Sequence, residues 1–254
     1  MSKNEIIATE FQGNNEITIP ELQNKYQCFN YGHALEILKT NYVEEWNDIV
    51  ECLNNLRITP DEILKAGGNK SPIPEKFDEF LFPREWTETK IVADLRVVKM
   101  DRKSRTKQGG KFKADRTEEI VVKGFIDGHN VDFIKGKVAF DLEWNSKDQT
   151  FDRDLLAMRN YFDARIIDVG IIVTRAEDLN EIFTALGKVL NKDIKKKYGA
   201  STTWMGKLKP RLDARRNGGC PILAIGIRKE CVERDEQLIE YYRRLEELRS
   251  GEEV

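Results

Sequence analysis

The chain has 254 residues, of which 40% are hydrophobic and 34% are charged, and its formal net charge at pH 7 is −2. This composition suits one large domain, or one domain with an appended subdomain, with a sizeable core and a well-solvated surface. No run of about 18 apolar residues is present, which argues against a membrane span. The near-neutral charge argues against a uniformly basic nucleic-acid-binding surface.

The first residues and the cysteines favour a cytoplasmic protein. The N-terminal sequence MSKNEIIATEF lacks a basic stretch followed by an apolar core, so it does not read as a signal peptide. The four cysteines lie far apart without a CxxC pair, and only two histidines are present, which favours reduced thiols over a zinc site. The cysteines are Cys28, Cys52, Cys220 and Cys231.

The N-terminal third contains one clear helical pattern. Residues 1–27 are polar and weakly patterned, and we expect them to precede a single domain over residues 28–254. Apolar residues recur every three or four positions over 35–56, which predicts a helix of about six turns. Prolines and a Gly-Gly pair predict that 57–83 is mostly loop with short helical turns.

From Lys90 onward, runs typical of β-strands alternate with helical patterns. The predicted strands are 91–98, 119–125, 131–134, 138–144, 166–174 and 221–227. A hairpin-like loop over 99–116 joins the first two strands, and the next two continue the same sheet. Predicted helices begin near Phe151, cover 178–191 and begin again near residue 232, and a basic Gly-rich loop covers 200–219. This alternation predicts an α/β fold with a mixed central β-sheet flanked by helices.

Basic residues are concentrated in two segments. Residues 99–116 hold eight basic residues against two acidic ones, and residues 207–216 hold five against one. The five are Lys207, Lys209, Arg211, Arg215 and Arg216. Two such segments on a near-neutral chain are typical of a groove that contacts phosphates, and two solvated loops would have the same composition.

The predicted strand 138–144 carries an unusual set of polar residues. Because side chains alternate along a strand, Asp141, Glu143 and Asn145 share one face. Lys147 joins them if the strand runs that far. Two carboxylates beside an amide and an amine form a hard-oxygen site that suits Mg²⁺.

Asp132 can approach the same point across the short turn between the two neighbouring strands. A divalent metal held there would generate hydroxide and stabilise charge during phosphodiester hydrolysis. His129 is close to Asp132 in sequence and is either an acid–base group or a plain surface residue. The pattern taken alone also fits an edge strand whose polar face meets solvent.

Several segments together carry a family resemblance. They are Tyr31–Leu38 with Trp46, Phe82–Trp86, Val131–Phe133 with Asp141–Asn145, Thr202–Leu208, and Gly218–Leu223. They resemble the PD-(D/E)xK nuclease superfamily and, within it, the type II restriction endonucleases of the BglII/BstYI family. The acidic strand is the most specific segment, and the resemblance implies a restriction-endonuclease-like fold.

The resemblance implies that Asp132 is a bridging Mg²⁺ ligand. The acidic strand can be aligned with the family motif in two ways, which we call registers. In one, Glu143 is the second carboxylate and Asn145 stands where the superfamily has lysine and BglII-like enzymes have glutamine. The shorter asparagine leaves its contact with water or metal open, with Lys147 as a substitute. In the other, Asp141 is the second carboxylate and Glu143 takes the lysine position, as in BamHI-type enzymes. The implied catalytic residues are Asp132, Asp141, Glu143 and Asn145, and the first three are the implied metal ligands.

The activity implied by the resemblance is site-specific hydrolysis of double-stranded DNA. A homodimer would cut one strand with each subunit at a short palindrome. The resemblance implies a target centred on GATC. A cognate DNA methyltransferase would be its partner in a restriction-modification system. The basic residues of 207–216 would contact phosphates or guanine edges. A non-cleaving DNA-binding protein and a structure-specific repair nuclease remain as alternatives, because the usual lysine is missing.

Overall fold

A computed structural model describes residues 13–65, 71–101, 115–190, 194–234 and 236–251. The strands are β1 (Tyr26–Tyr31), β2 (Thr87–Lys90), β3 (Ala93–Asp101), β4 (Asp115–Ile126), β5 (Asn130–Lys135), β6 (Val138–Glu143), β7 (Val169–Arg175) and β8 (Ile222–Ile227). The α-helices are α1 (Ala34–Asn41), α2 (Val43–Asn55), α3 (Pro60–Leu64), α4 (Pro72–Leu81), α5 (Thr150–Asp163), α6 (Leu179–Leu190), α7 (Ile194–Lys197), α8 (Met205–Asp213) and α9 (Glu236–Gly251). Within these ranges, we find no helix with the length and apolarity needed to cross a bilayer.

The central sheet is mixed and has the strand order β1-β8-β7-β6-β5-β2. Three of the four inner strands, β6, β7 and β8, run parallel to one another, whereas β5 and the two edge strands β1 and β2 pair antiparallel. Every residue of β7 is buried, as expected for a strand covered on both faces. The predicted α/β fold with a mixed sheet flanked by helices is confirmed.

The two faces of the sheet pack against different helices. Phe140 and Leu142 of β6 belong to a core shared with α1, α2, α4 and α6, whereas Ala139 belongs to a core shared with α5 and α8. Helix α5 approaches the sheet closely at Gly170, where an added Cβ would lie 2.6 Å from Sδ of Met158. This close packing fixes α5 over the face of β6 that carries Ala139, Asp141 and Glu143.

Strands β3 and β4 form a separate two-stranded ribbon. Our prediction that 91–98 and 119–125 belong to the central sheet was therefore wrong. The sheet edge beside β5 is taken by β2, which we did not predict as a strand. Nearly all ribbon side chains are exposed on both faces, so strand propensity located the strands but not their sheet. Of the predicted basic loop 99–116, residues 102–114 lie outside the described residues.

The helix predicted over 35–56 is interrupted at Tyr42, where φ is −132° and ψ is 52°. The Tyr42 N–H still donates to the Leu38 carbonyl, and the Tyr42 carbonyl accepts from the N–H of Trp46. The Tyr42 hydroxyl donates to the carboxylate of Asp168, just before β7. The apolar spacing continues across this break, so the sequence pattern could not reveal it.

Two segments predicted to be mostly loop contain helices. In 57–83, α3 and α4 begin at Pro60 and Pro72, because proline at the first helical position starts a helix instead of ending it. In 200–219, α8 forms although Pro210 lies inside it. The buried residues of α8 are Met205, Leu208 and Leu212.

Candidate active site

The acidic residues of β6 lie on the face covered by α5. Asp141 is 3% exposed and Glu143 is 8% exposed. Strand β6 lies inside the sheet between β5 and β7, so a solvated edge strand, which the pattern alone allowed, is excluded. The alternation predicted from the sequence therefore places both carboxylates in the protein interior.

Asp132 and Asp141 lie opposite each other where the pairing between β5 and β6 ends, and hydrogen bonds connect them to each other's strands. The strand pairing ends at Phe133 opposite Phe140, so the two aspartates follow directly on opposite strands. The backbone N–H of Asp132 donates to Oδ1 of Asp141 at 2.9 Å, and the N–H of Leu142 donates to Oδ2 of Asp132 at 2.9 Å. Carboxylate oxygens thus take the place of backbone acceptors. Asp132 is exposed, so it lies at the opening of the site.

A further carboxylate comes from α5 and was missed by the sequence analysis. Asp154 is 1% exposed, and its Oδ1 lies 2.9 Å from Nε2 of His129. The backbone carbonyl of His129 accepts a 2.7 Å hydrogen bond from the Tyr161 hydroxyl, so His129 is tied to α5 and is not a plain surface residue. The available signal was helical spacing, since Asp154 falls between Phe151 and Leu155 in the apolar stripe of α5. We call Asp132, Asp141, Glu143 and Asp154 the acidic cluster.

Buried oxygens without hydrogen-bond donors are concentrated in this region. Among the described residues they include Oδ2 of Asp141, Oε2 of Glu143, Oδ1 of Asn145 and Oδ2 of Asp154. A buried polar group without a partner costs about 1–3 kcal/mol, and folded proteins contain few of them. These four atoms are all acceptors, so satisfying them calls for a cation or for protons, such as one shared between Glu143 and Asp154.

The electrostatics of the acidic cluster lead to the same conclusion. Burial raises the pKa of Asp141 well above its usual range, and the charges of Asp154 and Asp132 raise it further. Burial, followed by the charge of Asp154, raises the pKa of Glu143 to about 8. Burial also raises the pKa of Asp154, although its hydrogen bond with His129 acts in the opposite direction. Without a cation, these carboxyls cannot all be ionised at neutral pH.

The acidic cluster fits a hard divalent cation in donor type and in charge. Mg²⁺ prefers carboxylate, amide and water oxygens, which are the donor-free atoms found here. Within the described ranges, no three Asp, Glu, His or Cys side chains are already gathered around one point as metal ligands. The cluster therefore offers oxygens of the right type and charge, without a preassembled ligand shell among the described residues.

The family of the chain can be identified by comparing its sequence with models of known families. A family model described as "Restriction endonuclease BglII/BglIII" matches residues 26–227. The chain belongs to this family. The match runs from the first residue of β1 to the last residue of β8, and it includes the whole acidic cluster. It confirms the resemblance predicted from the motifs, and membership implies type II cleavage of DNA. No curated protein matches the chain.

In this endonuclease, Lys147 does not extend the acidic face of β6. The strand ends at Glu143, and Asn145 is half-buried just beyond it. Lys147 is exposed, and its backbone bridges antiparallel to Thr202. The condition under which Lys147 would join Asp141 and Glu143 on one face is therefore not met.

A buried arginine, also missed by the sequence analysis, fixes the end of β6. Arg175 is 1% exposed, and burial lowers its pKa to about 10. Its guanidinium donates to the carbonyls of Trp144 and Thr203, each at 2.8 Å, and to the Thr202 hydroxyl at 2.6 Å. The peptide group between Trp144 and Asn145 is thereby joined to the segment that leads into α8. The available signal was a charged residue at the end of an otherwise apolar strand.

Two of the predicted DNA-binding arginines are already paired with α5. Arg211 donates from Nε and Nη2 to the two carboxylate oxygens of Asp152, each at 3.1 Å. Arg216 contacts the same carboxylate. Asp152 is in the first turn of α5, two residues before Asp154. Arg211 therefore anchors α8 to α5 in the DNA-free chain.

The other predicted DNA-binding residues differ in how firmly they are held. Lys209 forms a 2.7 Å ion pair with Asp213, one turn further along α8. Lys207 lies 3.9 Å from Asp148, near the limit for an ion pair. Arg215 is exposed, with φ of 56°, in the turn that follows the helix. Arg215 is therefore the best placed of these three to meet an approaching phosphate.

Proposed function

We propose that the protein is a Mg²⁺-dependent type II restriction endonuclease that hydrolyses phosphodiester bonds in double-stranded DNA at a short palindromic site. The observation that carries the proposal is the group of donor-free oxygens on Asp141, Glu143, Asn145 and Asp154. A divalent cation beside the reacting phosphate promotes phosphodiester hydrolysis, and this is where the fold concentrates carboxylates without donors. We further propose that residues 28–254 form a single nuclease domain.

Asp132, Asp141 and Glu143 would hold the cation. When bound, Mg²⁺ supplies Lewis-acid stabilisation of the transition-state charge and lowers the pKa of coordinated water. Asp132 lies at the opening, and Asp141 is oriented by the N–H of Asp132. Burial raises the pKa of Glu143 to about 8, so Glu143 would release a proton in order to hold the cation. Asn145 would position the attacking water in the place of the superfamily lysine.

We propose that the active species is a homodimer, because cutting both strands of a palindrome requires two active sites related by a two-fold axis. A GATC-centred target is proposed from the family resemblance. A methyltransferase of the same specificity would protect the host DNA. Lys207, Lys209, Arg211, Arg215 and Arg216 would contribute DNA contacts from α8 and the turn that follows it.

The substitution of asparagine for the usual lysine also favours a second candidate, a DNA-binding protein of the same fold that does not cleave. Incubation of the purified protein with plasmid DNA, in Mg²⁺ or in EDTA, separates these functions. Discrete fragments that require Mg²⁺ support restriction, whereas a gel shift without cleavage supports the second candidate. Preferential cutting of branched DNA would support a structure-specific repair nuclease. Glu143→Gln serves as the control, since it should bind DNA without cutting it.

A further inference from the structure

Asp154 differs from the other acids of its helix. Asp152 faces α8 and is paired with arginines, and Asp163 is exposed at the end of α5, 3.8 Å from Arg159. Asp154 is turned inward, between the helix and β6, and is 1% exposed. Its carboxyl lies against that of Glu143 and close to that of Asp141.

A role confined to holding His129 does not explain this arrangement. The bond to His129 occupies Oδ1, whereas Oδ2 is buried and receives no hydrogen bond from the described residues. Asparagine could make the same contact with His129 without placing a carboxyl beside two others. Burying a charged group among like charges is strongly unfavourable unless a counter-charge joins it. Oδ2 of Asp154 is therefore placed against Glu143 where only a cation, or a proton shared by the two carboxyls, can lie between them.

We propose that Asp154 is a further carboxylate of the divalent-cation site, contributing negative charge and the donor-free Oδ2, and that His129 is the residue that positions it. This inference rests on the proposed metal-dependent function and adds two residues to its site. His129 holds Oδ1 from the loop before β5, and the Tyr161 hydroxyl fixes the carbonyl of that histidine. The remaining oxygen is thereby directed toward Glu143. The cation is of the hard class that prefers oxygen ligands, such as Mg²⁺ or Mn²⁺.

The test is calorimetric titration of the full-length protein with Mn²⁺ alone, in the absence of DNA. We expect Asp154→Asn to weaken Mn²⁺ binding by roughly tenfold to a hundredfold, the range typical of residues that support a metal site. Asp163→Asn removes one exposed charge from the same helix and should bind Mn²⁺ as the wild type does. Thermal melting in EDTA checks the fold, because removing a repelled charge should leave the melting temperature of Asp154→Asn equal to or above that of the wild type.

A second variant keeps the inference testable if Asp154→Asn does not fold. His129→Gln retains the carboxylate but loosens it, so we expect a smaller loss of Mn²⁺ affinity in the same direction. Wild-type Mn²⁺ affinity in both variants, or in the one that folds, would overturn the inference. If Glu143→Gln still lost Mn²⁺ binding and cleavage in that case, the proposed function would stand and only the role of Asp154 would fall. Absence of Mn²⁺ binding and of Mg²⁺-dependent cleavage in the wild type would overturn both.

Discussion

Glu143→Gln should change the pH dependence of stability in the metal-free endonuclease, independently of any effect on cleavage. In the folded chain, burial and the charge of Asp154 raise the pKa of Glu143 from 4.5 to about 8. Because the folded pKa is raised, the folded state binds the proton more tightly than the unfolded state does. The free energy of unfolding therefore falls as the pH rises between these two values and levels off above the higher one.

The magnitude follows from the width of that window. One pKa unit corresponds to about 1.4 kcal/mol, so Glu143 lowers the free energy of unfolding by about 4 kcal/mol between about pH 5 and pH 8. This is an upper limit, because Asp141 and Asp154 share the same repulsion and a proton taken up by one relieves the others. Glutamine cannot ionise, so the variant should lack this contribution.

Urea unfolding in EDTA at several pH values measures the effect directly. We expect Glu143→Gln to match the wild type near the acidic end of the window and to be more stable at its alkaline end. Glu79→Gln, on the exposed side of α4, is the matched control and should follow the wild-type curve. Equal pH slopes for the wild type and Glu143→Gln would refute the reasoning. Added Mg²⁺ should stabilise the wild type at alkaline pH more than it stabilises the variant.

Three further predictions concern the metal register, the end of β6 and the DNA contacts. If Asp141 is a metal ligand, Asp141→Asn abolishes cleavage in both Mg²⁺ and Mn²⁺; an active Asp141→Asn beside an inactive Asn145→Ala would establish the other register. Arg175→Met should lower the free energy of unfolding by about 3 kcal/mol, measured in urea, because two buried carbonyls lose their donor; an unchanged midpoint would contradict this. Arg215→Ala should reduce the salt slope of DNA binding by about one unit while leaving stability unchanged. Arg211→Ala should lower the melting temperature as well, since it anchors α8, and identical behaviour of the two variants would argue against the assigned difference.

The acidic face of β6 could be predicted because it depends on local geometry. Alternation along a strand puts Asp141 and Glu143 on one side whatever the strand packs against. The approach of Asp132 also followed from sequence, since a short turn joins two antiparallel strands. The metal register was not predictable in the same way, because Asp141, Glu143 and Asn145 each keep a buried oxygen without a donor and strand alternation does not rank them.

Other features depended on contacts between distant segments and could not be predicted. The interruption at Tyr42 preserves the helical spacing, and the Tyr42 hydroxyl bonds there to Asp168, far along the chain. The separation of the β3–β4 ribbon from the sheet depends on β2 taking the edge, although β2 consists of only four residues. Strand propensity cannot rank competing partners for a sheet edge, so local signals missed β1 and β2 and assigned β3 and β4 to the wrong sheet.

The candidate site is assembled from three segments that are joined by hydrogen bonds at defined atoms. Arg175 holds the carbonyls of Trp144 and Thr203 together, which fixes the end of β6 against the start of α8. Arg211 ties α8 to Asp152, and two residues further along α5, Asp154 faces the acidic cluster. A displacement of α8 would therefore act on β6 through the buried Arg175 and on α5 through the half-buried Arg211–Asp152 pair. Asp152 and Asp154 are two positions apart on a helix and therefore face different directions. One turn of α5 thus pairs with Arg211 and Arg216 through Asp152 and contributes Asp154 to the acidic cluster.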